Sequence, residues 1–324
     1  LPEHLDDWAH QYSEKAPVSE KWRRMPCPAV LKGWPMAAAQ LRERMRKWKT
    51  AGVKIDAVWL DFENAPAGIH YAPAKYCERC QRTIPAKALQ SRHAFHRYTR
   101  QLWIQLISTY IAAPIRESYP GASITNWAYA LSTTDAPVLS WYGRKRQPIG
   151  QTLMTATNPV GYGVDVAFRK QVDDIDSLTQ AEVDRVYSWI ILQSIFADAT
   201  NRREQAPHLK AVPWVARWVQ HGTAGELPIM SREAYRECLR HIWLSGIEGL
   251  QVFEPTYPGY QNMALKEIKD QLIVYKEMAQ YADRIKYGTT LVQPLPKQKQ
   301  LRVLWSGIET SKHILLRTKS LDQK

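Results

Sequence analysis

Two carboxylates stand close together at the end of a short apolar run. Asp61 and Glu63 follow Val58, Trp59 and Leu60, residue types that favour β-strands. Because side chains alternate along a strand, both acids are expected on the same side of it. Paired carboxyl groups can cleave a glycosidic bond by general acid–base chemistry. The pattern predicts a catalytic pair, with Glu63 as general acid/base and Asp61 as its partner; the alternative is a loop-capping acid beside a solvated one.

The run that carries this pair resembles a known motif. Asp-Ala-Val-Trp-Leu-Asp-Phe-Glu, from Asp56 to Glu63, resembles the D-x-x-D-x-D-x-E strand of family 18 chitinases, with Trp59 in place of the middle aspartate. Its Asp-Phe-Glu is also similar to the Asp-x-Glu of hyaluronidases. The resemblance implies that Glu63 is the general acid and that Asp61 orients a substrate N-acetyl group. The strand with its following Cys-x-x-Cys also looks like bacterial hypothetical glycosyl hydrolases with barrel folds, over residues 53–260.

Helix and strand patterns alternate along most of the chain. Apolar periodicity and breaker residues predict helices over 36–49, 89–117, 176–199 and 231–244, and strands over 53–62, 122–129, 153–168, 209–218 and 249–254. This order is typical of an α/β fold with a parallel sheet, and the length favours a (β/α)8-type barrel. Only about five of the eight strands are visible, so we expect the N-terminal part of the barrel to be missing or aberrant.

The last part of the chain has a different pattern. Residues 303–305 and 314–316 are apolar and read as antiparallel strands. We therefore expect a partial barrel domain over residues 1–288, followed at 289–324 by the start of a β-rich, β-sandwich-like module.

A second carboxylate and several aromatic residues complete the candidate site. Glu254 ends the last predicted strand and would make the enzyme a two-glutamate retaining hydrolase; its alternative is a capping or loop acid. Trp and Tyr side chains combine an aromatic ring with a polar group, and such rings pack on the apolar faces of sugars. Packing in the core or at an interface would also explain any single ring. The candidate substrate-binding residues, at strand ends or in long loops, are Asn126, Trp127, Tyr129, Trp141, Tyr142, Arg144, Asp165, Trp214 and Tyr257.

Composition limits the partners. The 324 residues include 13 Trp and 16 Tyr but only 5 Phe, a composition that favours a carbohydrate partner. The formal net charge of +13 weakly favours an acidic partner. The basic run from Arg144 to Arg146 could attract acidic sugars, or could serve solubility alone. We find no nucleic-acid motif and no apolar run long enough for membrane insertion. The oligomeric state is not predicted.

The four cysteines do not form a disulfide scaffold at this length. Cys77 and Cys80 form a Cys-x-x-Cys pair, which would need His70, His93 or a distant cysteine to complete a zinc site. We favour a local disulfide or a plain loop, and therefore assign no metal ligand and no cofactor. Asp198, inside a predicted helix, is interpreted as a helix-surface acid.

Two function classes remain. The first is a glycoside hydrolase acting on an oligosaccharide or polysaccharide, with acidic and N-acetylated glycans as candidate substrates, in an extracellular or periplasmic location. The second is a non-catalytic carbohydrate-binding or structural barrel. Because the chain starts at Leu1, we expect a processed product or a fragment.

Overall fold

The computed structural model describes residues 9, 11–23, 27–60, 71–126, 152–164, 168–169, 171–219, 227–253 and 261–321. Helices alternate with small, mostly parallel sheets, so the predicted α/β class is confirmed. Contacts divide the chain into two compact units. The described residues up to 126, together with 152–154, form the first unit, and those from 155 onward form the second.

The first unit is mainly helical. Its strands β1 and β2 are parallel, with Ala57 opposite Ser123 and Leu60 opposite Asn126. Its elements are α1 (Glu20–Arg23), α2 (Gly33–Thr50), β1 (Ala57–Leu60), α3 (Tyr71–Tyr76), α4 (Glu78–Thr83), α5 (Ala86–Leu89), α6 (Arg92–Ile107), a π-helical turn (Ser108–Ala112), α7 (Ala113–Ser118) and β2 (Ser123–Asn126).

The helix predicted over 89–117 is present as α6 and α7, joined by the π-helical turn. Ser91 begins it, since its hydroxyl accepts a hydrogen bond from the Ala94 amide at 3.1 Å, as an N-cap should. Pro114 has no amide hydrogen and cannot donate to the carbonyl four residues earlier. The π-helical turn lies directly before it, so the helix continues past the proline with a local change of winding.

The second unit contains the remaining parallel strands and an antiparallel sheet. Its elements are β3 (Ala156–Thr157), β4 (Val160–Val164), α8 (Gln180–Gln205), β5 (Lys210–Ala211), β6 (Trp214–Val219), α9 (Arg232–Trp243), β7 (Gln251–Val252), α10 (Gln261–Ala279), α11 (Ala282–Tyr287), β8 (Thr289–Thr290), a 3₁₀ turn (Gln298–Gln300), β9 (Val303–Glu309) and β10 (Ile314–Ser320). Strand β3 pairs with β5, β6 lies between β4 and β7, and all of these pairs are parallel.

Helix α8 forms the centre of the second unit. The Thr179 hydroxyl and the Glu182 carboxylate form a capping box that starts it, later than the expected residue 176. Every residue from 186 to 202 is buried. Strand β4 lies close to α8 because Gly161 has no side chain. A Cβ at this position would lie 2.5 Å from Ile195 Cδ1.

The C-terminal sheet belongs to the same core. Strands β9 and β10 are antiparallel, as predicted. We expected residues 289–324 to begin a separate module; instead, Val292, Leu304 and Ile308 are buried in one cluster with α8 and α9. The Trp189 indole on α8 also donates a 2.8 Å hydrogen bond to the Pro296 carbonyl. Burial of apolar side chains from both parts joins them into one folding unit.

The described strands make four separate small sheets, and no closed barrel is seen among them. None of the helices in the described ranges has the length and apolar character needed to cross a bilayer.

Candidate functional site

The sequence predicts a catalytic pair directly after β1. The carboxyl ends of β1 and β2 lie at one edge of their sheet. Leu60 ends β1 and lies opposite Asn126, which ends β2. The Asn126 side chain is completely buried, as is Ile124 two residues earlier. A buried amide at a strand end satisfies its polar atoms in a fixed arrangement. Asn126 is thus the one predicted site residue that the structure places at a carboxyl strand end within the described ranges.

Strand β1 is less buried than expected. We predicted a buried strand over 53–62; in the described residues the regular strand begins only at Ala57, and none of the residues Ala57–Leu60 is buried. Trp59 keeps 40% of its surface exposed. The reason is that β1 has a single strand neighbour, β2, in the described part of the chain. Residues along β1 therefore alternate between exposed and half-buried, whereas a strand inside a barrel is buried along its whole length.

Most of the predicted site residues lie outside the described residues. These are Glu63, Asp61, Glu254, Trp127, Tyr129, Trp141, Tyr142, Arg144, Asp165 and Tyr257.

Trp214 occupies a different position from the expected one. We placed it at the aromatic end of a strand over 209–218, whereas it is the first residue of β6, at the amino end. Pro213 lacks the amide hydrogen that a continuous ladder needs, so the predicted strand is divided into β5 and β6. The Trp214 ring packs edge-to-face on Phe253 at 6.0 Å. It therefore contributes to packing at the amino end, not to a cleft at the carboxyl end.

Glu267 is a buried carboxylate that the sequence did not single out. It is 3% exposed on α10, and its Oε1 accepts a hydrogen bond from the Arg217 backbone amide of β6. Its Oε2 has no hydrogen-bond partner among the described residues. Strand β7 ends at Val252, so Glu267 satisfies an amide of β6 beyond the point where β7 pairs with it. Within a helix pattern the residue looks like an ordinary surface acid.

Asp198 is buried and paired, so its interpretation as a helix-surface acid is wrong. Its Oδ2 accepts hydrogen bonds from Thr157 Oγ1 at 2.8 Å and from Arg202 Nε at 2.9 Å. Arg202 also donates to the Ser245 carbonyl at 3.1 Å. The pair joins β3, α8 and the segment before β7. A buried charge with this many partners is a structural link, and its enclosure keeps substrate away.

A serine, a histidine and a glutamate form a second enclosed chain. His241 Nδ1 lies 2.7 Å from Ser306 Oγ, and its Nε2 lies 3.4 Å from Glu237 Oε1. These residue types also form the triads of hydrolases. Here Ser306 and His241 are both completely buried, so no substrate can reach the hydroxyl. These side-chain contacts hold β9 against α9.

Two of the cavities in the second unit are lined by described residues that include charged side chains. One, of about 480 Å³, lies beside Trp243, Tyr275, Lys210 and Glu248. Because Lys210 begins β5 and Glu248 precedes β7, this cavity is near the amino ends of these strands. The other, of about 440 Å³, is bordered by α8, α9 and β10 and is lined by several charged residues. Neither cavity includes a predicted site residue.

Three cysteines form the clearest cluster of potential metal ligands in the described residues. The Cys27, Cys77 and Cys80 sulfur atoms all lie within 4.8 Å of one another, and all three residues are buried. The hydrogen bond with Cys77, together with burial, raises the pKa of the Cys27 thiol to about 11. His93, which the sequence offered as a completing ligand, contacts Arg97 Nη2 at 3.1 Å through its Nε2 and is not part of the cluster.

The segment that carries the Cys-x-x-Cys is helical. The Cys-x-x-Cys was expected to form a local disulfide or a plain loop, but the described residues 71–89 form α3, α4 and α5. Cys77 is the N-cap of α4 and its sulfur accepts from the Cys80 amide. The four cysteines all lie in described residues, and no disulfide joins them.

Comparison with protein-family models, curated proteins and solved structures found no match to this chain.

Proposed function

We propose that this protein is a glycoside hydrolase, with Glu63 as general acid/base and Asp61 as its partner. The observation that carries the proposal is the parallel pairing of β1 with β2, which sets Leu60 opposite the buried Asn126 at the carboxyl edge. In the sequence, Asp61 directly follows Leu60, and Glu63 comes two residues later. The carboxyl ends of parallel strands are where barrel enzymes carry their catalytic residues.

A (β/α)8-type barrel is the architecture that we propose for this protein. The second unit has the pattern that such a barrel requires, since β4, β6 and β7 are parallel and are separated in the chain by α8 and α9. Each connection between neighbouring parallel strands therefore contains a helix, as in β/α units. Gly161 and Ser194 hold β4 directly against α8. The barrel is the extension of this pattern to the remaining strands.

Two mechanisms are open for the second carboxyl function. In a substrate-assisted reaction the N-acetyl group of the sugar attacks, and Asp61 positions it, as the resemblance to chitinases and hyaluronidases implies. In a two-glutamate retaining reaction Glu254 is the nucleophile and Glu63 the acid. The first mechanism requires an N-acetylated sugar, whereas the second does not. Substrate range therefore separates them.

The test is an assay of reducing-sugar release on a panel of polymers: chitin-type, hyaluronan-type, uronate-rich and neutral. We expect turnover on at least one, and turnover restricted to N-acetylated polymers supports Asp61 as the partner. Binding of a polymer without turnover would instead support a non-catalytic carbohydrate-binding or structural barrel. Neither binding nor turnover on any polymer would contradict both functions. We propose an extracellular or periplasmic location, where such polymers occur.

A further inference from the structure

Three sulfur atoms from two distant chain segments converge in the first unit. Cys27 lies 50 positions before Cys77 in the chain, and their sulfurs are 3.8 Å apart. The Cys27 and Cys80 sulfurs are 3.4 Å apart. A tetrahedral ion with Zn–S bonds of about 2.3 Å separates its sulfur ligands by about 3.8 Å. The observed spacing therefore matches the edge of a single zinc coordination sphere.

The same distances do not fit a disulfide or an iron–sulfur cluster. A disulfide would bring two sulfurs to about 2.04 Å, and a third thiol would have no role in it. A polynuclear iron–sulfur cluster holds its cysteines farther apart than one ion does. Soft thiolate ligands in a tetrahedral arrangement favour zinc among the common divalent metals.

Backbone amides already point at the sulfur of Cys77. The Gln11 amide donates to it at 3.3 Å and the Cys80 amide at 3.5 Å. Amide donors stabilise the negative charge of a metal-bound thiolate and orient it, which is the usual role of the residues around a metal site. Because Gln11 comes from a third segment, these bonds also fix the chain before α1 to the Cys-x-x-Cys.

The helices around the cysteines are short and share a small hydrophobic core. The elements nearest the cysteines, α3, α4 and α5, have 6, 6 and 4 residues, too short to be stable helices alone. The fully buried part of their shared core has Ile84 and Phe95 as its large apolar side chains, with Tyr12, Val30, Tyr71, Leu89 and Tyr98 partly buried against it. Small cores of this kind are commonly stabilised by a structural metal.

We propose that Cys27, Cys77 and Cys80 are three ligands of a structural Zn²⁺ ion that fixes residues 11–30 to residues 71–89. Among the described residues no histidine or carboxylate joins them. The fourth ligand is water or a residue outside the described ranges. By position in the chain, His10 precedes Gln11 and His70 precedes Tyr71, and both are tested below. This proposal is independent of the proposed catalysis.

The first experiment measures metal content. The full chain is purified under reducing conditions, dialysed against metal-free buffer and analysed by elemental mass spectrometry. We expect one zinc per chain. X-ray absorption at the zinc edge should give three sulfur neighbours and one lighter neighbour. Four light-atom neighbours would overturn the proposal, since they would mean an adventitious ion on the surface.

The second experiment uses variants. Cys27→Ser and Cys80→Ser should each lower the zinc content at least tenfold after dialysis, while Cys238→Ser should keep one zinc per chain. Cys238 is the matched control because it is also buried but lies on α9 in the second unit. His10→Ala and His70→Ala identify a histidine as the fourth ligand if either lowers the content. Full zinc content in both cysteine variants would overturn the proposal.

A third measurement does not depend on how the variants fold. The wild-type chain is stripped of metal with a chelator and titrated with Co²⁺ under reducing conditions. We expect saturation at one Co²⁺ per chain, with a thiolate-to-cobalt charge-transfer band in the near ultraviolet and tetrahedral visible bands. A folded wild-type chain that gives neither, or whose untreated form contains a disulfide between two of the three cysteines, contradicts the zinc site.

Discussion

Leu60 and Asn126 lie opposite each other at the last pair of the parallel ladder between β1 and β2. Leu60 is half-buried, whereas Asn126 is completely buried. In the sequence, Asp61 directly follows Leu60 and Glu63 comes two residues later. This relationship is the structural basis of the proposed active site.

Replacing Glu63 by Gln should remove the proton donor without removing side-chain volume. We expect turnover to fall by about 10²–10⁴-fold, the usual contribution of general acid–base catalysis, with an unchanged thermal midpoint. The readouts are reducing-sugar release and thermal unfolding. Glu43→Gln is the matched control, because Glu43 is a half-buried residue of α2 whose side chain pairs with Arg46. Near-wild-type activity of Glu63→Gln would exclude Glu63 as the acid.

The basic run from Arg144 to Arg146, which lies outside the described residues, should favour acidic polymers. We expect turnover on a uronate-rich polymer to exceed that on a neutral polymer of similar linkage at low salt. The difference should shrink as salt shortens the screening length to about 8 Å at 0.15 M. Kinetic constants at two ionic strengths measure this. Equal rates on both polymers at both salt concentrations would leave the basic run without a role in selecting substrate.

Asp198→Ala should strongly destabilise the second unit. The substitution leaves the Arg202 guanidinium buried without its carboxylate, and breaking a buried pair from one side removes about 3–5 kcal/mol from the free energy of unfolding. Urea denaturation provides the measurement. Asp173→Ala is the comparison, because Asp173 pairs with Lys299 at 3.1 Å but its side chain is 94% exposed; the expected loss is about 0–1 kcal/mol. Similar losses in both variants would contradict the structural role of Asp198.

Glu237 should make stability depend on acid pH. Burial alone would raise the pKa of Glu237, but the hydrogen bonds of His241 and Arg317 outweigh it and hold that pKa well below its usual range. An unfolded glutamate titrates near pH 4.3. The stabilisation is therefore present above about pH 4.3 and is lost as pH falls below it towards the folded pKa.

The corresponding experiment compares unfolding free energies between neutral pH and acid. We expect Glu237→Gln to be less stable than wild type at neutral pH and to lose less stability on acidification. Glu233→Gln, an exposed change in the same helix, should follow the wild-type curve. If Glu237→Gln and wild type show the same pH dependence, the ion pair with Arg317 does not stabilise α9 against β10.

Gly161→Ala should show how tightly β4 packs on α8. The added methyl group would meet Ile195 Cδ1 at 2.5 Å and the Trp214 carbonyl oxygen at 3.1 Å, so we expect a loss of about 1–3 kcal/mol from overpacking. Gly249→Ala is the control, because its methyl group would meet only Val212 Cγ1, at 3.9 Å. Denaturant unfolding of both variants measures the difference. A neutral Gly161→Ala would mean that β4 and α8 separate easily.

Local patterns in the sequence were enough to predict several of the longer helices (α2, α6 with α7, α8 and α9) and several strands. The helix predicted over 231–244 begins where expected, since the Ser231 hydroxyl accepts a hydrogen bond from the Ala234 amide at 3.2 Å and caps α9. The antiparallel pair β9 and β10 was also foreseen. The start of α8 was predicted at residue 176 instead of 180. Thr179 and Glu182 have the Thr-x-x-Glu spacing of a capping box, which would have indicated the correct start. Such features are encoded within a few neighbouring residues, so the sequence alone can indicate them.

The tertiary structure decided what depends on contacts between distant residues. Asp198 has the spacing of a surface acid, yet Thr157 and Arg202 enclose it. Cys27 is a distant cysteine in the sequence, and the fold brings it to Cys77 and Cys80 across 50 and 53 positions. The sequence by itself determined the alternation of helices and strands and the carboxylate pair, because hydrophobic periodicity and short motifs are local. Burial and ligand clustering were determined only by the fold, because both arise from long-range packing.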